Sequence, residues 1–352
     1  MKIIVDMMGG DHAPLETVRG VALAMREYAG HAYILVGDEA EIRRIAAEEG
    51  VDLTGTEIVP AASVVTMEDD PVAVVRTKKD SSMAVALQLL SDGKGDAVVS
   101  TGNTGALFTG AMLIVKKIKG LQRAGIAAVL PAGVPMLLVD SGANVEVTEE
   151  NLEQFAIMGS TYMKLNYGVD VPRVGLLNNG SEACKGTPLY QAAHTRLAEC
   201  PHIHFIGNVE GSTMTSGCCD VLVADGFTGN IMMKTFEGAG KMILSQLKDV
   251  FYTGWKTKLA YLLLKKPLGN MKRQLDPNEV GGAPLLGIAK PVIKAHGSSR
   301  AVAFKNAIGK AILYAQSGTI EEISSVMEKI AVEKRALKDA QKAVAERSER
   351  ES

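Results

Sequence analysis

One local pattern with chemical content is written twice in this chain. Asp96-Ala97-Val98-Val99-Ser100-Thr101-Gly102-Asn103-Thr104-Gly105 returns as Asp220-Val221-Leu222-Val223-Ala224-Asp225-Gly226-Phe227-Thr228-Gly229, followed by Asn230. Each copy is a short apolar run, a Gly-Thr-Gly loop, and then an apolar, Met-containing stretch of helical character. A buried strand that feeds a tight loop and a helix N-terminus makes an anion site, because unpaired backbone N–H groups and the helix dipole both point at the loop. Two such loops describe a cleft for phosphate or for a developing oxyanion, and so an enzyme rather than a scaffold. Neither copy is a Walker loop, since no Gly-Lys-Ser/Thr follows, and no GxGxxG follows the first apolar run.

Other residues carry weaker signals. Asn178-Asn179-Gly180-Ser181-Glu182-Ala183-Cys184-Lys185-Gly186-Thr187 is densely polar after an apolar run. Lys185 there is a candidate to neutralise an anion or oxyanion, and equally reads as a solvated lysine. Arg76-Thr77-Lys78-Lys79 precedes a helical segment and suits a phosphate or phosphopantetheine arm, or a solvated basic turn. Cys200-Pro201-His202-Ile203-His204 resembles a metal clip without a fourth ligand, so no metal is expected. His12 and His296 follow strands and suit either catalysis or structural hydrogen bonding. Cys184 lacks a Cys–His arrangement, and no nucleophile elbow, HExxH or serine triad is present.

The elements that must position these residues alternate. Strands are expected at residues 2–6, Tyr33–Val36, Glu57–Pro60, Met136–Val139, Val174–Leu177, Phe205-Ile206 and Pro291–Ala295. Helices are expected over Pro14–Tyr28, Glu39–Glu49 and Ser81–Leu90, the last capped by Asp80, with a further helical start at Pro71–Val75. This rhythm predicts an α/β fold, a mostly parallel sheet with helices on both faces. Several strands end in polar, Gly-containing loops, which are expected to share one rim, where open parallel sheets bind ligands.

Composition agrees. The 352 residues are 47% apolar with 36 glycines and a net charge of −2, an ordinary balance that gives no electrostatic reason to bind nucleic acid. Four cysteines without a CxxC pair suit a reducing, cytoplasmic compartment. The N-terminal apolar run is too short for a signal peptide, and no run reaches the roughly 18 apolar residues of a membrane span.

Two segments break the rhythm. Phe251–Arg273 carries six basic residues and no acid, and holds the one tryptophan of the chain. It reads as a basic amphipathic helical hairpin: Trp255, Leu259, Leu262 and Leu263 with Lys256, Lys258, Lys265, Lys272 and Arg273 suit an anionic membrane surface, an acidic protein partner, or packing at a dimer interface. Residues 331–352 form a charged tail, helical or frayed, after a catalytic unit over 1–330.

Taken in order, several motifs resemble the bacterial phosphate acyltransferase (PlsX) family. They are Val5-Asp6-Met7-Met8-Gly9-Gly10-Asp11-His12-Ala13-Pro14, Lys78-Lys79-Asp80-Ser81-Ser82-Met83, Ser100–Ala106, Val139-Asp140-Ser141-Gly142-Ala143-Asn144, Gly207–Gly211, Asp225–Asn230, Gly281–Gly287 and His296-Gly297-Ser298-Ser299. Met7 where alanine is usual and Glu279-Val280 before the Gly-Gly are small departures. The resemblance implies transfer of a long-chain acyl group from acyl-carrier protein to inorganic phosphate, for phospholipid synthesis. It implies a fold similar to phosphotransacetylases and isocitrate/isopropylmalate dehydrogenases, a homodimer, and no organic cofactor. It assigns Lys185 and Asn230 to catalysis. Asp6, Gly9, Gly10, Asp11, Gly102, Asn103, Thr104, Gly105, Asn144, Asn179, Asp225, Thr228, Gly229 and His296 would bind phosphate or substrate. The basic hairpin would meet carrier protein or the inner membrane face, near a downstream membrane acyltransferase. An acyl-CoA-dependent transferase is the nearest alternative, and the basic hairpin, unneeded for CoA, argues against it.

Overall fold

A computed structural model describes residues 1–132, 134–274 and 281–351. The first unit opens with β1 (Lys2–Asp6), an apolar run buried on both faces as an interior parallel strand must be. It continues through α1 (Leu15–Glu27), β2 (Ala32–Gly37), α2 (Glu39–Glu48), β3 (Glu57–Pro60), α3 (Ala73–Arg76), α4 (Ser82–Ser91), β4 (Ala97–Ser100) and α5 (Thr104–Gly110), which runs on as one π turn to Val115. The second comprises β5 (Gly125–Ala132), β6 (Val134–Val139), α6 (Glu149–Tyr167), β7 (Arg173–Asn178), α7 (Pro188–Ala198), β8 (His204–Glu210), β9 (Val221–Val223), α8 (Gly226–Tyr252) and α9 (Trp255–Gln274). The chain then returns with β10 (Ala283–Leu286), β11 (Val292–Lys294), α10 (Ala301–Gln316) and α11 (Thr319–Glu351).

All strands join one sheet in the order β3-β2-β1-β4-β11-β10-β5-β6-β9-β7-β8. Pairing is parallel except at β11/β10, β10/β5 and β5/β6, which are antiparallel. Three reversals in succession make the second parallel half run opposite to the first. The expected single rim is therefore two rims, and residues from both line one cavity. The site collects the ends of β4 and β11 from one half and of β6 and β9 from the other.

The structure corrects four further expectations. Ser81, not Asp80, caps α4, accepting from the Ala84 amide, while Asp80 accepts from the Ser63 hydroxyl instead. β8 extends through Gly207-Asn208, which were expected as loop, because pairing with β7 resumes at Asn208, opposite Leu176, after a register shift. β5 and β10 were not expected; Pro131 and Pro284 within them read against strand. Finally, residues 251–273 are not a hairpin in themselves. α8 runs to Tyr252, the chain turns at Thr253-Gly254, and α9 is one helix with Pro267 inside it. The turn is tied by the Thr257 hydroxyl, which accepts from the Gly254 amide and donates to its carbonyl. Stacking of Tyr261 near Phe251 and Tyr252 places the first turns of α9 against the end of α8. Glu279 and Val280 lie outside the described residues.

Candidate active site

A cavity of about 760 Å³ lies between the two halves of the sheet. One end is polar. Thr104 and Gly105 reach it from the start of α5, His296 and Ser299 from the loop after β11, Ser141 and Gly142 from the loop after β6, and Asn230 from α8. The other end is apolar. Ile126, Ala128 and Leu130, at alternate positions, present one face of β5. Met233 and Phe236 extend the face of α8 that begins at Asn230, at helical spacing.

The first half holds its loops by direct stitching. The buried Asp6 carboxyl accepts from the Ser100 hydroxyl at 2.6 Å, and burial pushes that carboxyl up while the hydrogen bond holds it down. Thr101 donates its hydroxyl to the Gly9 carbonyl at 2.6 Å, and the Asp11 amide donates to Gly297 at 2.9 Å. A β-carbon on Gly9 would meet the Asp6 carboxylate and the Gly102 amide at 2.7 Å, so only glycine permits this approach. Asn103 caps α5 by accepting from Ala106, and its amide group donates to the carbonyls of Thr66, Met67 and Asp69.

The second half is held by two carboxylates. Asp140 accepts from the amides of Ile126, Gly142, Ala143 and Asn144 and from the Asn144 side chain. Burial raises this carboxyl, yet every neighbour is an N–H donor, so the anion is the form that satisfies them. Asp225 caps α8, accepting from the Thr228 amide and hydroxyl and from the buried Tyr190 phenol at 2.5 Å. A β-carbon on Gly229 would collide with the Asp140 carbonyl. The loop and the helix thus close on one another, and Gly142 sits beside the Asn230 side chain.

Of the expected site residues, Asp11, Thr104, Gly105, Asn230 and His296 line the cavity. Asp6, Gly9, Gly10, Gly102, Asn103, Asn144, Asp225, Thr228 and Gly229 form the framework behind it. Asn179 and Lys185 do not line it. Both are exposed on the loop between β7 and α7, whose Tyr190 touches the cap of α8. In the basic turn, Lys78 pairs with Asp69 at 2.6 Å and holds that carboxyl down at about 2. Trp255, Lys256, Lys258, Leu259, Leu262, Leu263 and Lys265 are exposed on α9, and the side chains of Lys272 and Arg273 lie outside the described residues. Among the described residues no group of three His, Cys, Asp or Glu side chains is placed to hold a metal ion.

The apolar wall, Ser141, Ser299 and Lys294 were not anticipated. Lys294 lines the cavity and is only 7% exposed. Its signal in the sequence is a lone charge inside the apolar run Pro291–Ala295.

The family comparison agrees with the motifs. Residues 1–322 match the model of the family described as "Fatty acid synthesis protein". A phosphate acyltransferase of Acetivibrio thermocellus is 44% identical over 92% of this chain and 95% of the relative. Another from Brevibacillus brevis is 44% identical over 94% of this chain and 98% of the relative. The chain belongs to the phosphate acyltransferase family. Among solved structures, a phosphotransacetylase from Streptococcus pyogenes superposes with a TM-score of 0.59 at 17% identity, covering 91% of this chain and 94% of its own. The EutD phosphotransacetylase of Staphylococcus aureus gives 0.56 at 17%, covering 90% and 94%. These two show that the expected phosphotransacetylase-like fold holds.

Proposed function

We propose that this phosphate acyltransferase moves a long-chain fatty acyl group from acyl-carrier protein to inorganic phosphate, yielding acyl phosphate and the free carrier thiol. The observation that carries this reading is one cavity with a polar end, suited to oxyanions, and an apolar end, suited to an alkyl chain. A phosphate oxygen attacks the thioester carbon, the C–S bond breaks, and the thiolate leaves to take up a proton. Phosphate near neutral pH needs little activation, so the site has to hold it about 3–3.5 Å from the carbonyl and exclude water. The Asn230 side-chain amide donates to the carbonyl oxygen as charge develops there. The acyl chain lies between β5 and α8, against Ala128, Leu130, Met233 and Phe236. Lys185, from its exposed loop, acts at the cavity mouth to orient phosphate or stabilise the thiolate, which requires that loop to close inward.

α9 presents Lys256, Lys258 and Lys265 beside Leu262 and Leu263, which are 66% and 78% exposed. This surface receives an acidic carrier protein and visits an anionic bilayer at the inner face of the membrane. The labile product passes there to a membrane acyltransferase. The working form is a cytoplasmic homodimer. No described helix is long and apolar enough to cross a membrane.

The test is phosphate-dependent thiol release from palmitoyl-acyl-carrier protein, with hydroxylamine trapping of the product. Asn230→Ala should lower kcat by about 10²–10³, the usual cost of one oxyanion donor. Full activity in that variant would move the oxyanion hole elsewhere. Release from palmitoyl-CoA but not from the carrier protein would replace the donor.

A further inference from the structure

Lys294 ends β11 with its side chain buried in the cavity wall. Its ammonium donates to two backbone carbonyls, Thr101 at 3.3 Å and Ala295. Among the described residues, no carboxylate stands within ion-pairing distance. An ammonium has three N–H donors, so one remains for whatever occupies the cavity. Such a cation, buried with Asp6 and Asp11 nearby but in direct contact with neither, gains from a ligand that supplies a contacting opposite charge. Burial pushes this amine down to about 8, against the pull of the Asp6 and Asp11 carboxylates. Lys234, the other cation on the cavity wall, is exposed on α8.

We infer that Lys294 seats inorganic phosphate, donating its remaining N–H to a phosphate oxygen at the end of the cavity shared with Thr104, Gly105 and His296. Asn230 lies on the opposite half of the sheet, so the seat sets the dianion across the cavity from the carbonyl it attacks. The inference rests on the acyl-to-phosphate reading and assigns it a binding residue. A phosphodiester on the acyl donor has the same oxyanion chemistry, and the test separates the two sources.

Lys294→Met keeps the aliphatic stem and removes the charge. It also takes a donor from the Thr101 and Ala295 carbonyls, so a modest fall in melting temperature is expected and the phosphate-specific readouts decide. Calorimetric titration with inorganic phosphate alone should show binding weakened by about ten-fold or more, in line with loss of a charge-assisted hydrogen bond. In turnover, the KM for phosphate should rise by a similar factor while the KM for the acyl donor stays put, and Lys294→Arg should recover part of the loss. Should the Met variant prove unstable, Lys294→Gln retains N–H donors without the charge and should show the same phosphate-specific loss. A lowered melting temperature with both KM values shifted alike would make Lys294 a structural tie and overturn the inference. Undiminished phosphate binding with a raised donor KM would also overturn it, placing the donor's phosphodiester on the lysine. Wild-type protein that fails to bind phosphate would bring down the acyl-to-phosphate reading itself.

Discussion

At the scale of single residues, this site divides its work between groups that face the cavity and groups that hold them. Asn230 and Lys294 face it; Asp6, Asp140 and Asp225 do not. The division has a pH consequence. Lys294 titrates at about 8, and above that pH it is neutral and a poorer partner for a dianion. Phosphate is already mostly dianionic there, so its affinity should weaken as pH rises through about 8 in the wild type, a loss readable by calorimetry. The profile of Lys294→Met should stay flat over the same range. The charged groups that act on this lysine are Asp6 and Asp11, from β1 and its loop, and the titratable side chains that line the same cavity are His296 and, on α8, Lys234 and Glu237. Bound phosphate favours the ammonium form and should move the midpoint upward. The glycines of the two loops stood out in the sequence, but that Asn103 and Asp225 cap the helices behind them, rather than reach the cavity, did not. Nor did Lys294, because a lysine beside a strand end reveals neither its burial nor its direction.

At the scale of elements, the caps connect stability to catalysis. Asp225 starts the helix that carries Asn230, five positions on. Asp225→Ala should cost about 1 kcal/mol in a thermal or denaturant melt, the usual value for a lost cap. It should lower kcat beyond what that destabilisation explains, because Asn230 loses its anchor. Asp140→Asn should cost about 1–3 kcal/mol, since its new NH₂ must face backbone N–H donors. A melt unchanged in that variant would show that the loop after β6 finds other partners. The doubled motif was readable as two strand–loop–helix units, but the two helices begin at different offsets. Asn103 caps α5 and Asp225 caps α8, two positions earlier in the repeat. Asp80 and Ser81 were both chemically able to cap α4. The competition was decided by Ser63, a partner from a distant loop that occupies Asp80.

At the scale of the whole molecule, the cavity exists because the two halves of the sheet run in opposite senses. The cations of α9 do not line that cavity, so under the proposed function they would act in encounter rather than in chemistry. Reversing Lys256, Lys258 and Lys265 to glutamate should raise the KM for acyl-carrier protein, flatten its salt dependence and leave kcat largely intact. Salt-titrated kinetics check this, and an unchanged KM would leave α9 to the membrane alone. The sequence by itself determined the α/β class, the glycine-dependent loops and the family, because these depend on local periodicity, backbone sterics and ordered motifs. Tertiary structure decided which strand ends meet. β5 and β10, with Pro131 and Pro284 in their runs, are recognisable as strands only through their partners: each pairs with the strand that follows it, β6 and β11, and the two pair with each other across the fold. Their antiparallel pairing turns one expected rim into two facing ones, brings Asn230 and Lys294 to the same cavity and leaves Lys185 outside it. No local signal encodes that, because the β10/β5 pairing that joins the two halves is a contact between segments far apart in the chain.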